Sequence, residues 1–135
     1  MKKLAITAST LSILAAIFGW NIGIAIRAPA DISKSSESGR YTIENVPLKG
    51  LLSMPGGMAY LRIIDRNQNN KVFRTPLYST QSLDMRDYED STVVGIVGID
   101  FKKNDYHFII GVPQWRPHWL NWFISNTSYE VVPNG

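Results

Sequence analysis

The feature that most constrains this chain is an uncharged apolar run at residues 4–26. At about 1.5 Å per residue, a helix of that length crosses the roughly 30 Å hydrocarbon core of a bilayer. The run is longer than the roughly 7–15 apolar residues of a cleaved secretory signal, which favours a retained anchor. Ala28-Pro29-Ala30 has the small-x-small form of a cleavage site, so cleavage after Ala30 stays open. The sequence predicts a transmembrane anchor or uncleaved signal over residues 1–27.

Small residues repeat at four-residue intervals inside this run, at Ala15, Gly19 and Gly23. A face of small side chains lets two transmembrane helices approach closely, and Asn21 could add a hydrogen bond between them. Glycine is also frequent in transmembrane helices that make no such contact. A homodimer through the span is therefore one of two interpretations of this face.

The net positive charge belongs to the N-terminal segment. Of the fourteen basic residues, Lys2, Lys3 and Arg27 flank the apolar run, which leaves eleven basic against eleven acidic residues beyond it. A short basic segment before a first span generally stays in the cytoplasm, so the rest of the chain is expected across the membrane. That remainder is neutral and lacks the basic surface of a nucleic-acid-binding domain.

The chain after the span divides into two parts. Residues 28–39 are polar and serine-rich, without hydrophobic periodicity, which predicts a flexible tether. Residues 40–135 are predicted to form an extracytoplasmic, mainly β domain, because apolar and polar residues alternate in several stretches. The predicted strands are residues 40–46, 58–64, 71–79, 92–101, 106–112 and 127–132. Short polar turns and the lack of a long amphipathic helix favour a small antiparallel sheet, curled or sandwich-like.

Three of the four tryptophans lie in the segment PQWRPHWLNWF, residues 113–123. Pro117 suits the first turn of a helix, so the segment predicts one short C-terminal aromatic helix over residues 117–124. Helical spacing would give it an apolar face and a polar stripe: Trp115, Trp119, Trp122 and Phe123, and His118, Asn121 and Ser125. The apolar face either covers the open side of the sheet or serves as a partner anchor or an interfacial foot on the membrane.

The sequence contains few residues that suggest chemistry. There is no cysteine, which excludes thiolate catalysis, zinc–thiolate sites and disulfides. His107 and His118 are interpreted as ordinary strand and surface histidines. Residues 65–70 begin like a calcium loop, but Asn70 and Pro76 stand where that loop requires glycine and glutamate, so a turn is predicted. We expect no metal, no cofactor and no enzymatic activity.

Acidic residues are concentrated in LDMRDYED, residues 83–90. The four carboxylates are Asp84, Asp87, Glu89 and Asp90. A metal ion could bind such a group, but a solvated acidic loop is the favoured interpretation. These carboxylates could also steer a basic partner onto the domain.

The layout resembles a family of small enterobacterial membrane-anchored envelope proteins of unknown function. The resemblance rests on the MKK start before the span, the GRYTI strand, the AYLRIIDRNQNNKVFRTPLY hairpin and the VGIDF segment. It covers most of residues 39–112 and includes no catalytic motif. It implies a single-pass protein of the bacterial inner membrane with its β domain in the periplasm, and it suggests the setting of toxin–immunity pairs.

Two functional hypotheses follow. The first is a membrane-tethered protein-binding module, an immunity protein that occludes an envelope-targeted toxin. Its predicted partner-binding residues are Asp84, Asp87, Glu89 and Asp90 for steering, with Trp115, Arg116 and Trp119 as anchors. The second is a structural accessory subunit of an envelope or secretion assembly, which would self-associate through the small-residue face of the span and through sheet edges.

Overall fold

The computed structural model describes residues 2–50 and 57–133, beginning with helix α1, Lys2–Ile26. Residues 2–17 of α1 are exposed throughout, and the helix is long and apolar enough to cross a membrane. Its polar side chains bond within the helix, since Thr7 and Thr10 donate to carbonyls four residues earlier, at 2.8 and 2.9 Å. Asn21 Nδ2 likewise donates to Ile17 O at 2.8 Å. The span therefore presents few unpaired polar groups, as lipid requires.

Two open five-stranded sheets follow the helix. The first sheet has the order β1-β2-β3-β4, with β5 also paired to β3. Its strands are β1 Ile32–Ser35, β2 Tyr41–Pro47, β3 Met58–Asp65, β4 Lys71–Arg74 and β5 Tyr78–Ser79. The second sheet has the order β10-β9-β8-β7-β6. Its strands are β6 Asp87–Glu89, β7 Val93–Ile96, β8 Ile99–Lys102, β9 His107–Ile110 and β10 Ser128–Val131, and the one-turn helix α2, Asn121–Ile124, precedes β10. The predicted fold class is confirmed.

The predicted flexible tether is wrong in its central part. Ile32–Ser35 forms β1, which pairs antiparallel with β2 in the register Ile32 to Asn45. Asp31 anchors the start of the strand, because its Oδ1 accepts a hydrogen bond from Asn45 Nδ2 at 2.8 Å. An edge strand needs only one apolar side chain here, and Ile32 alone packs against the core. The stretch therefore lacks the periodicity by which strands are recognised.

The predicted single strand over residues 92–101 is also wrong, because it is the hairpin β7–β8. Gly98 occupies the turn at φ +89°, a conformation that favours glycine. Gly95 lies where an added Cβ would stand 2.1 Å from Ile99 O, so only glycine fits this close approach. Because both short strands are buried, their residues form one continuous apolar run in the sequence. That run gives no indication of the turn between them.

One strand pair is parallel, although only antiparallel pairing was expected. β10 runs parallel to β9, with Ser128 opposite His107. Residues 111–127 connect the two strands and include α2, which is long enough for the crossover that parallel pairing requires. The connection contains a single helical turn and therefore resembles a loop in the sequence.

The main hydrophobic core lies between the two sheets. Ala59, Leu61 and Ile63 alternate along β3, are fully buried and face the second sheet. Phe101 of the second sheet packs on Phe73 of β4 at a ring separation of 4.7 Å. The period-2 alternation of β3 is confirmed, and it directs its other side chains to the opposite face of the sheet.

A second core lies on that opposite face and includes the end of α1. Val46, Tyr60 and Leu77 pack there with Ala25 of α1 and Leu120 of the segment before α2. The Tyr60 hydroxyl donates to the carbonyl of Ala25 at 2.6 Å, which satisfies one of the last carbonyls of the helix. The first sheet is thus the middle layer, between the helices and the second sheet.

An ion pair on this face of the first sheet also holds the residues that follow α1. Arg62 of β3 donates to Glu44 of β2 at 2.8 Å, and both side chains are largely buried. The same guanidinium donates to the carbonyl of Ala28 at 2.9 Å. The chain that follows α1 is therefore held to the sheet at Ala25, at Ala28 and through β1.

The contribution of the end of α1 to the stability of the domain can be tested with two shortened chains. A chain that begins at residue 31 loses Ala25, Ile26 and the Tyr60–Ala25 hydrogen bond, the last worth about 0.5–1.5 kcal/mol. A control chain that begins at residue 17 keeps every contact of the second core and lacks only exposed helix. We expect the shorter chain to have the lower free energy of unfolding, measured by urea denaturation in mild detergent. Equal values would mean that α1 is a mere tether.

Candidate functional site

The tryptophan segment is mostly irregular, so the predicted helix over residues 117–124 is wrong in its first half. Only Asn121–Ile124 is helical. Gln114 has a positive φ of 57°, and Pro117 follows, so no helical turn connects Trp115 to the later aromatics. The buried residues of the segment are Leu120, Asn121 and Ile124 rather than a tryptophan face. Asn121, predicted on a polar surface stripe, accepts a hydrogen bond from Leu77 N at 2.8 Å.

The residues of the predicted apolar face lie in two different places, one against the main core and the others at the surface near α1. Trp115 is half-buried against the main core, and its ring meets Tyr129 of β10 edge-on at 6.1 Å. Trp119 and Trp122 are 58 % and 88 % exposed, so the interpretation of the whole face as core cover is wrong. Trp119 stacks on Phe18 of α1 at 5.8 Å, and Phe123 meets the same ring edge-on at 5.1 Å. These aromatics therefore extend the domain along the apolar helix.

Two grooves border the segment around Pro117 and His118. One groove, of about 350 Å³, lies between α2 and Tyr129. The other, of about 330 Å³, runs past Trp115 to the start of β3. Each groove has a buried donor in its wall with no acceptor among the described residues, Asn121 Nδ2 in the first and Trp115 Nε1 in the second. Arg116 is exposed and forms no ion pair within the described part of the chain.

The outer edge of β10 is a feature that the functional prediction missed. All four residues of β10 are exposed, and Tyr129, Val131 and Val132 present apolar side chains. Val132 N donates to Ile110 O of β9 at 2.8 Å. Because bonding direction alternates along a strand, the N–H groups of Tyr129 and Val131 point away from β9. Pattern analysis predicted the strand at residues 127–132 but could not reveal that it ends the sheet.

The edges at β4, β1 and β6 carry side-chain contacts. At β4, Asn126 Oδ1 accepts from Arg74 N at 2.7 Å and its Nδ2 donates to Val72 O at 2.8 Å, so its amide takes the place of a neighbouring strand. β1 and β6 are bridged by Lys34, whose Nζ lies 3.5 Å from Asp87 and donates to Met85 O at 2.7 Å. Unprotected edges invite strand addition, so β10 differs from the rest.

The four predicted steering carboxylates do not form a free acidic loop. Asp84 forms a bidentate pair with Arg86, and these hydrogen bonds lower the pKa of Asp84 to about 2. Asp90 accepts hydrogen bonds from Thr92 N and Val93 N, at 2.8 and 2.9 Å, which lower its pKa. Asp87 lies in β6 beside Lys34. Asp84, Asp87 and Glu89 are thus each paired with a cation, whereas Asp90 forms no ion pair within the described residues.

Glu89 is the most enclosed of these carboxylates, with a side chain 5 % exposed. Burial alone would raise the pKa of Glu89, but hydrogen bonds from Lys103 and from Ser38 outweigh it and lower the pKa to about 2. Lys103 Nζ lies 2.8 Å from the carboxylate, and Ser38 N donates at 2.7 Å. Glu89 thereby connects the β1–β2 turn to the second sheet.

The two histidines and Asp65 form hydrogen bonds within the domain. His107 Nδ1 lies 2.9 Å from Ser128 Oγ, and His118 Nδ1 accepts from Leu120 N at 3.1 Å. Asp65 forms a turn, as predicted, and is buried against Arg40 at 2.9 and 3.0 Å; hydrogen bonds from Arg40 lower its pKa. Residues 2–50 and 57–133 contain no group of three side chains suited to hold a metal ion.

The small-residue face of α1 lies largely outside the domain contacts. Ala15 and Gly19 are exposed, and an added Cβ at Gly19 would meet nothing within 4 Å. Gly23 is different, because the Arg27 side chain folds over it and donates to its carbonyl at 3.1 Å. The face open to a second helix is therefore shorter than the predicted one and ends near Gly19.

Comparisons of this chain with family models, with curated proteins and with solved structures find no match.

A structural role for Glu89 gives a pH-dependent prediction. Since its folded pKa of about 2 lies below its ordinary value of 4.5, its contribution to stability is present above about pH 4.5 and is lost as the pH falls towards 2. We expect Glu89→Gln to lower the free energy of unfolding at pH 7 by roughly 1.5–3 kcal/mol and to flatten its pH dependence in this window. Asp84→Asn is the matched control and should leave stability unchanged, because that pair is solvated. If the free energy of unfolding of Glu89→Gln depended on pH between about 2 and 4.5 as that of the native chain does, the structural role of Glu89 would be contradicted.

Proposed function

We propose that this chain is a membrane-tethered protein-binding module of the bacterial periplasm, an immunity protein that occludes an envelope-targeted toxin. The observation that carries the proposal is the open edge of β10, which presents free backbone donors beside exposed apolar side chains. Such an edge can accept an extended segment of another protein as an additional strand. Stoichiometric blockage of the toxin requires a bound surface and no chemistry of its own.

The surroundings of β10 provide side-chain recognition. Trp115 contacts Tyr129 on this strand, and Arg116 follows it in an exposed position. Tryptophan, tyrosine and arginine are the residue types enriched among binding hot spots. We therefore keep Trp115 and Arg116 in the proposed partner surface. Asp84, Asp87 and Glu89 have a minor part in it, because each is already paired with a cation within the domain.

The way α1 joins the domain supports a tethered mode of action. The end of the helix belongs to the second core, so removal of residues 1–30 would expose Tyr60 and Val46. This favours a retained anchor over cleavage after Ala30. An anchored binder has a high effective concentration at the membrane surface, where an incoming toxin would arrive. The mild basic bias before the span favours the periplasmic side for the domain.

The partner test is affinity capture of the tagged full-length chain from its native cells, with stoichiometry measured. We expect one dominant, near-equimolar secreted enzyme whose activity is lost in the purified complex. Several envelope components at unequal amounts, or the chain alone, would contradict the immunity proposal.

A single substitution tests the β10 edge once a partner is in hand. Val131→Pro removes an N–H that points away from β9 and leaves the β9 ladder intact, which proline at an edge strand permits. We expect at least a tenfold loss of affinity for the partner, measured by calorimetry, because a strand added there loses a backbone bond. Val131→Thr keeps the N–H and the branched shape and should bind nearly normally. Equal affinities for both variants would exclude strand addition at β10.

The alternative is a structural accessory subunit of an envelope or secretion assembly. The exposure of Ala15 and Gly19 favours it, since two spans could approach closely there. In this role the chain would need the small-residue face of its own span, whereas an immunity protein needs only an anchor that keeps the α1 residues of the second core.

Self-association through the span can be tested without disturbing the domain. Ala15→Leu/Gly19→Leu fills the small-residue face at positions that contact no domain residue, and it should abolish crosslinked dimers in vesicles. Thr10→Leu/Ile17→Leu places the same pair of leucines on the opposite side of the helix, where the native side chains are already large, and should leave any dimer intact. A wild-type chain that crosslinks only as a monomer would remove this alternative.

A further inference from the structure

The exposed aromatics at the end of the domain require an explanation that the partner surface does not give. Trp119, Trp122 and Phe123, here called the aromatic foot, are exposed by 58 %, 88 % and 46 %. They lie against α1, through the ring contacts of Trp119 and Phe123 with Phe18. We propose that the aromatic foot inserts into the outer interfacial layer of the membrane that α1 spans. This inference rests on the proposed membrane anchor.

The contact with Phe18 determines the depth of the foot. A hydrocarbon core of about 30 Å takes about 20 helical residues, so a core that begins at Leu4 ends near Gly23. Phe18 lies five residues earlier, about 7.5 Å inside that boundary. Interfacial elements bury their apolar faces about 5–10 Å deep. The side chains that pack on Phe18 are therefore at a depth where lipid surrounds them.

The composition of the foot fits this position. Residues 117–125 contain no Asp, Glu, Lys or Arg, so no formal charge has to leave water apart from a protonated His118. Trp20 of α1, 71 % exposed, projects from the helix two residues beyond Phe18. Tryptophan is enriched at the level of the lipid headgroups, where its apolar ring and its N–H are both accommodated. Arg27 follows at the membrane surface, where a guanidinium can meet phosphate.

Lipid explains these exposures better than a protein partner does. Trp119 and Phe123 pack on Phe18, so a protein that covered them would have to lie beside α1 within the membrane, whereas lipid is present there in any case. The foot and the span would attach the domain at two places and restrict its rotation about the exit of the helix. Such a constraint would present the β10 edge in one orientation.

Site-directed spin labelling tests the inference, because the chain has no native cysteine. Three full-length variants would be labelled with a nitroxide in phosphatidylcholine–phosphatidylglycerol vesicles: Trp122→Cys in the foot, Ile13→Cys in the span and Val97→Cys at the β7–β8 turn. We expect the label at 122 to be accessible to oxygen rather than to a water-soluble nickel chelate, at a depth of about 5–10 Å. The labels at 13 and 97 should report mid-bilayer and aqueous surroundings.

The outcomes separate the two proposals. An aqueous label at 122 with a lipid-embedded label at 13 would overturn the foot and leave the anchor in place. An aqueous label at 13 would overturn the anchor itself. Phe123→Cys provides a second foot position if Trp122→Cys fails to fold, and the same depth is expected there.

Discussion

The structure depends on the contact between the end of α1 and the middle layer of the domain. Tyr60 of β3 is buried on the face opposite the main core, and its hydroxyl bonds to the carbonyl of Ala25. The first sheet must therefore be apolar on both faces, one for the second sheet and one for the helices. The end of α1, a helix long and apolar enough to cross a membrane, thereby completes the second core of the domain.

Local patterns allowed much of this architecture to be predicted. The uncharged run predicted α1, and period-2 alternation predicted β2 and β3, because each pattern depends on residues that are neighbours in the sequence. The errors arose where long-range contacts decide the structure. β1 exists through its pairing with Asn45 rather than through its own composition, and the turn at Gly98 divides a run that is buried on either side of it.

The candidate site was less predictable for the same physical reason. The carboxylates at residues 84–90 resemble an acidic patch when read in order, yet the partners of Glu89 are Ser38 and Lys103, far away in sequence. The tryptophan spacing assumed helical geometry throughout, whereas only Asn121–Ile124 is helical. Trp119 packs against the ring of Phe18, which lies about a hundred residues earlier in the chain. The sequence near Trp119 gives no indication of this contact.

Under the proposed function, the arrangement of the sheet edges would direct a partner to one side of the domain. Side chains close β4 and bridge β1 to β6, so an incoming strand meets free backbone donors at β10. Backbone pairing is tolerant of sequence, so it provides affinity without choosing a partner. Selectivity must then come from side chains beside the strand, and Trp115 with Tyr129 is the aromatic pair in reach. A partner suited to this edge would bring an extended segment with an apolar residue opposite Tyr129 and an acceptor for Arg116.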